Sequence, residues 1–428
     1  MKILLLTHAF NSLTQRLYVE LAARRHELSV EFDINDSVTR DAVRLFQPDL
    51  VIAPYLRRAI PEDVWRPRVC FIVHPGVAGD RGPSALDWAI LNGERDWGVT
   101  VLQAVAEMDA GPIWAHARFP MRAATKSSLY RNKVTEAAVA AVLEAVEKFQ
   151  SEQFTPQPLN TFSCRPCGRW RPLMRQADRT IDWQRDDTAT VLRQLHAADG
   201  SPGVRDEIAG KIVHLYDGHA ETSLRGAAGA LLARWHSAIC RATVDGAVWI
   251  GHLKSHHDPD RAFKLPATLA LPGAFDWLPE TAGSWRDLWY EERGAVGYLH
   301  FPFYNGAMST EQCQRLRAAF VAARQRPTRV IVLWGGPDFW SNGLHLNVIE
   351  AAASPADESL RNIVAMDDLC EAILTTTSHL TIAALQGNAG AGGVFLALAA
   401  DRVLAQRGVV LNPHYKNMGN LYGSEYWT

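Results

Sequence analysis

Residues 71–113, FIVHPGVAGDRGPSALDWAILNGERDWGVTVLQAVAEMDAGPI, decide how the N-terminal third folds. The apolar run Val69–Val73 is strand-like and passes straight into His74-Pro75-Gly76; a Gly- and Pro-rich turn then leads into a helical stretch, Ala85–Leu91. A His at the carboxyl end of a strand in an α/β sheet stands where such folds place ligands. Further on, Met108-Asp109-Ala110-Gly111 puts a carboxylate in a turn, able to orient or charge that imidazole and so to stabilise a developing oxyanion. Spacing alone leaves a second reading open, a surface His and an Asp that caps a turn.

Outward from this stretch, the first 150 residues alternate strand-like and helix-like segments, as a parallel α/β domain does. Lys2–Thr7, Ser29–Phe32 and Leu50–Ala53 are short apolar runs, and Ser12–Arg25 carries Leu13, Leu17 and Leu21 at four-residue spacing. Ser128–Phe149 reads as a long Ala-rich amphipathic helix. The pattern dissolves over Ser151–Pro172 and resumes with a helical piece and short strands at Ile212–Leu215, Ala230–Ala233 and Val248–Ile250. A Pro/Gly/Trp-rich connector, Leu265–Trp289, precedes a new α/β unit with strands Gly294–Phe301 and Arg329–Leu333 around a helix Thr310–Arg324. The expectation is an α/β multidomain chain: a Rossmann-like domain over 1–150, a small β-rich domain and connector over 151–285, and a third, α/β domain over 286–428.

Length points the same way, since 428 residues exceed one ordinary core. The formal net charge of −2 gives no basic excess that would advertise a nucleic acid. No run of about 20 apolar residues suggests a membrane span, and MKILLLTHAF reads as a buried first strand rather than a signal peptide. Scattered cysteines fit a reducing, cytoplasmic setting. Cys164 and Cys167 form a lone CxxC, read as two loop thiols rather than a metal site, because zinc takes four ligands.

In the first half, His74-Pro75, Arg81-Gly82, Gly93, Gly98-Val99-Thr100 and Met108-Asp109-Ala110-Gly111 fall in the order of a known pattern. The stretch resembles the catalytic core of the 10-formyltetrahydrofolate-dependent formyltransferases. Ile181-Asp182-Trp183, Leu192–Ala198 and Ser201-Pro202-Gly203 resemble the second domain of the methionyl-tRNA formyltransferases within that family. The resemblance covers about residues 1–255. It implies His74 and Asp109 as catalytic residues, and a folate site at Pro54, Tyr55, Leu56 and Arg57 with Ile72, Arg81 and Gly82. One departure matters: the family's Asn, two residues before the His, is Ile72. That amide helps to hold the tetrahedral intermediate, and a thiol acceptor asks less of such a site than an amine, because the thiolate is itself the nucleophile.

The C-terminal part has two Gly-rich turns, each after a strand: Leu333–His345 and Ala384–Gly393, the second opening an Ala/Leu helix. Glycines let a backbone approach a ligand, and N–H groups at a helix start suit a developing negative charge. Together the turns resemble those of the crotonase (enoyl-CoA hydratase/isomerase) superfamily. The resemblance implies an oxyanion hole from the N–H groups of Asn342 and Gly392, with Gly343 and Gly393 beside them, polarising a coenzyme A thioester. His345 stands for the family's Asp, and Phe395 and Tyr415 for its two catalytic glutamates, which removes hydratase chemistry. Tyr415, and Glu425 ten residues on, are expected to move protons instead.

A formyl-donor site and an acyl-CoA site in one chain, with a terminal segment running from His414 to Trp427, resemble the hydrogenase maturation factors that join these two domains. The resemblance implies transfer of a formyl group from 10-formyltetrahydrofolate to coenzyme A, then release of carbon monoxide for a NiFe hydrogenase and association with its maturation machinery. It also implies no metal of its own, and a crotonase-type domain whose C-terminal part is missing. The rival readings are a formyltransferase acting on initiator tRNA and an assembly scaffold that only senses folate or CoA.

Overall fold

A computed structural model of the chain describes residues 1–159, 168–255 and 263–414. Two compact units emerge, Met1–Ile181 with Arg193–Val204, and Asp182–Leu192 with Arg205 onward.

The first unit is built on a six-stranded sheet in the order Glu27–Phe32, Lys2–Thr7, Leu50–Tyr55, Cys70–His74, Asp96–Gln103, Ile113–Pro120. The first four strands are parallel, and Asp96–Gln103 runs antiparallel to both of its neighbours. Parallel strands need crossovers, supplied by helices Ser12–Ala23, Asp36–Phe46 and Glu62–Trp65. Asn11 caps the first helix by accepting the Thr14 N–H at 3.0 Å. Leu13, Leu17 and Leu21, one turn apart, lie fully in the core as their spacing predicts. The helix expected over Ser128–Phe149 forms with an irregularity: Lys126–Leu129 and Thr135–Ser151 are α-helical, and Tyr130–Val134 between them is a π turn. There the Thr135 hydroxyl donates to the Tyr130 carbonyl at 2.8 Å, and the Tyr130 ring packs edge-on to Tyr55.

In the second unit, Val204–Ile208, Lys211–Glu221, Ala247–Ser255, Ala238–Ala242 and Leu231–Trp235 form an antiparallel sheet, with Lys264–Pro266 paired to Ala247–Ser255. Glu221 anchors the chain that leaves this sheet. Its buried carboxylate accepts from the Ser223 N–H and hydroxyl, the Leu224 N–H, the Trp249 indole at 2.6 Å and the Ser284 N–H at 2.7 Å. Burial opposes the charge, yet these donors outweigh it and hold the carboxyl down to about 2.

A second sheet in this unit runs Trp289–Arg293, Val296–Phe301, Val330–Gly335, Leu380–Leu385, Arg402–Ala405, parallel apart from its first pair. Helices Thr310–Ala323 and Pro355–Leu374 bury Leu316, Phe320, Met366 and Leu369 in its core. Ser309 and Gln312 form a capping box at the start of the first of these helices. Short parallel strands Phe339–Ser341, Asn388–Gly390 and Leu411–Asn412 make a three-stranded sheet that carries both Gly-rich turns.

Candidate active sites

The carboxyl ends of the first unit's strands converge as the strand pattern predicts. Asp33, just past Glu27–Phe32, accepts from His8 Nδ1 at 2.8 Å and from the Arg57 N–H at 3.2 Å. It therefore ties together the segments that follow three neighbouring strands. Pro54 and Tyr55 close the strand Leu50–Tyr55, Leu56 follows, and Arg57 Nε reaches the Tyr55 hydroxyl at 3.4 Å. Burial pushes the Tyr130 phenol, beside this loop, up to about 12, so it remains a protonated donor.

His74 ends its strand buried, with 4% of its surface exposed. Its Nδ1 lies 3.4 Å from Asp109 Oδ2, so the expected pair forms. Asp109 holds a left-handed φ of 52° and also accepts the Gly82 N–H at 3.0 Å. Two groups that sequence reasoning missed complete the site. Asp80 Oδ1 lies 3.1 Å from His74 Nε2, and Asp80 Oδ2 accepts from Arg171 Nε at 2.6 Å. Both are buried. The Arg171 guanidinium stacks 5.2 Å from the centroid of Trp97, whose indole N–H donates to Pro75 O. Only the Gly-Asp-Arg-Gly run after the strand hints at Asp80, and Arg171, 91 residues further on, gives no local signal. Ile72, two residues before His74, lies on the same face of its strand and packs with Ala104 and Leu102. The Arg81 side chain pairs with Glu107, and the backbone of residue 81 bridges to that of 169–171.

At the second site the two Gly-rich turns meet. A Cβ on Gly343, whose φ is +76°, would lie 2.9 Å from the Gly392 N; only a bare backbone fits there. Gly393 lies behind, against Ser341 O. Gly392 opens the helix Gly392–Leu398, and Phe395 packs on the core cluster. The Asn342 N–H, expected to face a thioester, here donates to Gly306 O at 2.7 Å, while its side-chain amide donates to Asn305 O at 2.7 Å. The cause is the tight turn Tyr304–Gly306, where Asn305 takes a φ of 54° and aims both carbonyls at Asn342. His345 does what an Asp would do at its position, since its Nδ1 accepts the Val348 N–H and caps the helix Leu346–Ala351. Burial, then the neighbouring His252, pushes the His345 imidazole down to about 3, which keeps it neutral. Tyr415 and Glu425 lie outside the described residues, as do Cys164 and Cys167.

Family models match this arrangement segment by segment: Formyl transferase over residues 19–146, Formyl transferase, C-terminal domain over 173–260, and Enoyl-CoA hydratase/isomerase over 294–424. The chain thus joins formyl-transferase domains to a crotonase-type domain. It is 57% identical over 429 residues to the hydrogenase maturation factor HoxX of Bradyrhizobium diazoefficiens, covering 100% of this chain and 75% of that protein. A crystal structure of HypX from Aquifex aeolicus in complex with tetrahydrofolic acid superposes with a TM-score of 0.94 at 51% identity, covering 100% of this chain and 76% of that one. A methionyl-tRNA formyltransferase of Dechloromonas aromatica is more distant, 26% identical over 199 residues, 46% of this chain and 62% of that protein. The chain belongs to the HypX/HoxX family of hydrogenase maturation factors. Among the described residues no helix is long and apolar enough to cross a membrane.

Proposed function

We propose that this chain takes the formyl group of 10-formyltetrahydrofolate onto coenzyme A at His74, and that the crotonase-type part splits formyl-CoA into carbon monoxide and coenzyme A. The observation that carries the first step is the buried His74 between Asp80 and Asp109 at the carboxyl end of its strand. The Aquifex relative forms a complex with tetrahydrofolic acid, which supports a folate as a ligand of this chain.

In the first step the thiol sulfur attacks the formyl carbon, the carbon–N10 bond breaks, and the thiol's proton ends on N10. Pro54, Tyr55, Leu56 and Arg57 would hold the pterin, with Arg81 and Gly82 beside it. In the second step the formyl carbon gives up its proton, the carbon–sulfur bond breaks, and the sulfur takes a proton. The Gly392 N–H, and that of Asn342 once the Tyr304–Gly306 turn yields it, would polarise the formyl oxygen. Tyr415 and Glu425 would move the proton. The net reaction is 10-formyltetrahydrofolate to tetrahydrofolate and carbon monoxide, with coenzyme A as a recycled carrier. The carbon monoxide would serve NiFe-hydrogenase assembly in the cytoplasm, in company with the maturation machinery. We assign these roles to residues 1–150 and 286–428, with 151–285 as the formyltransferase C-terminal-like domain and connector.

The test is to supply 10-formyltetrahydrofolate and coenzyme A and trap carbon monoxide with reduced haemoglobin. His74→Ala is expected to make neither formyl-CoA nor carbon monoxide, and Tyr415→Phe to make formyl-CoA but little carbon monoxide. No formyl-CoA and no carbon monoxide from the unmodified protein would sink the reading.

A further inference from the structure

The transferase site holds a carboxylate that the formyltransferase pattern does not name. We propose that Asp80, clamped by Arg171, is the positioning residue that lets His74 carry a proton from the acceptor thiol to the departing folate nitrogen. This rests on the formyl transfer to a thiol proposed above.

The argument is one of donors and acceptors. A neutral imidazole has a single N–H, and a carboxylate only accepts. Asp80 Oδ1 meets Nε2 at 3.1 Å and Asp109 Oδ2 lies 3.4 Å from Nδ1, so the single N–H of the neutral ring serves only one of the two carboxylates. Both contacts are satisfied only when the ring carries a second proton, and formyl transfer supplies one. The acceptor S–H loses its proton to this pair as the carbon–sulfur bond forms. N10 collects the proton as the carbon–nitrogen bond breaks. In the interval the buried imidazolium has both N–H groups accepted, where an unpaired charge would be costly.

Two features keep Asp80 in place. Arg171 neutralises its second oxygen at 2.6 Å and is itself braced by Glu94 at 3.6 Å and by the Trp97 ring. The other charged pair nearby, Arg81 with Glu107, is self-contained. The second feature is Gly76: a Cβ there would lie 2.4 Å from His74 Nε2 and 2.8 Å from Asp80 Oδ1. Any side chain at position 76 would wedge the pair apart.

The experiment compares Asp80→Asn and Gly76→Ala with the unmodified protein in formyl-CoA formation. Both variants are expected to lose about 100-fold in kcat, the usual scale for a lost proton-transfer partner, with KM for 10-formyltetrahydrofolate and coenzyme A unchanged. The deficit should shrink for a pantetheine analogue with a more acidic thiol, which arrives already ionised. A merely structural role would lower kcat alike for both thiols. Unchanged kcat in either variant, or a deficit blind to thiol acidity, overturns the proposal. Gly76→Ala keeps every charge and decides the matter if Asp80→Asn does not fold. Absence of formyl-CoA from the unmodified protein would instead overturn the functional reading, and it shows in the control before any variant is compared.

Discussion

Replacing Arg171 by Leu removes the only cation in contact with Asp80 among the described residues and leaves a buried carboxylate facing His74. Breaking a buried ion pair from one side costs about 3–5 kcal/mol, because the surviving charge is neither solvated nor paired. The lost stacking on Trp97, 5.2 Å away, adds about 0.5–1 kcal/mol. Leucine recovers part of the apolar contact, so the net expectation is about 3–4 kcal/mol against the first unit. With a urea slope of about 2 kcal/mol/M, the midpoint for that unit should fall by about 1.5–2 M. The assay is urea-dependent hydrogen exchange read on a peptide covering the strand Cys70–His74, which reports this unit and not the whole chain. Asp80→Asn alone should cost less, since Arg171 keeps Glu94 at 3.6 Å. The double variant Asp80→Asn/Arg171→Leu should be more stable than Arg171→Leu, with a coupling of at least about 2 kcal/mol. A midpoint within about 0.3 M of the unmodified protein, or strictly additive effects, would refute the account of Asp80 as a buried charge that depends on Arg171.

At the second site, Gly343→Ala must place a methyl 2.9 Å from the Gly392 N at a φ of +76°; it should abolish carbon monoxide release while formyl-CoA still accumulates, read by chromatography. Glu221→Gln should lower stability by about 2 kcal/mol at pH 7. The carboxyl is held down to about 2 in the folded chain, so its contribution is complete above its ordinary range near pH 4.5 and fades as pH falls towards 2; thermal scans should show the two proteins converging there. His345→Leu loses a helix cap and should cost about 1 kcal/mol at pH 8. The folded His345 resists protonation down to about pH 3 whereas the unfolded one accepts a proton near 6.5, so it costs stability as pH falls through that window. The gap between variant and parent should therefore close near about pH 6 and reverse below it, and a gap that widens on acidification would contradict a buried neutral imidazole.

What could be read from the sequence was what repeats locally. The spacing of Leu13, Leu17 and Leu21 gave a helix face, and the apolar run before His74 gave a strand whose end carries chemistry. The turns at Gly343 and Gly392 were legible only as a pair and through a family resemblance, since a single Gly-rich turn after a strand is usually only a turn. Groups held by distant partners were not legible. Arg171 lies in a stretch without helical or strand periodicity, and only the folded chain shows that its backbone bridges to residue 81. Asp80 hid in a turn where Asp is common for local reasons. The engagement of the Asn342 N–H by Gly306 depends on a left-handed Asn305, which no periodicity announces.

The position of Arg171 also bears on how such a protein can be cut and recombined. A shortened chain ending with the helix Thr135–Ser151 would keep His74, Asp80 and Asp109, and with them the match to the N-terminal formyl-transferase model. It would lack the countercharge that makes Asp80 tolerable. Arg171, which follows that helix in the sequence, is thus a structural part of the first active centre. Grafting this transferase core onto another partner would need a seam placed beyond Val204 rather than at the end of the helix.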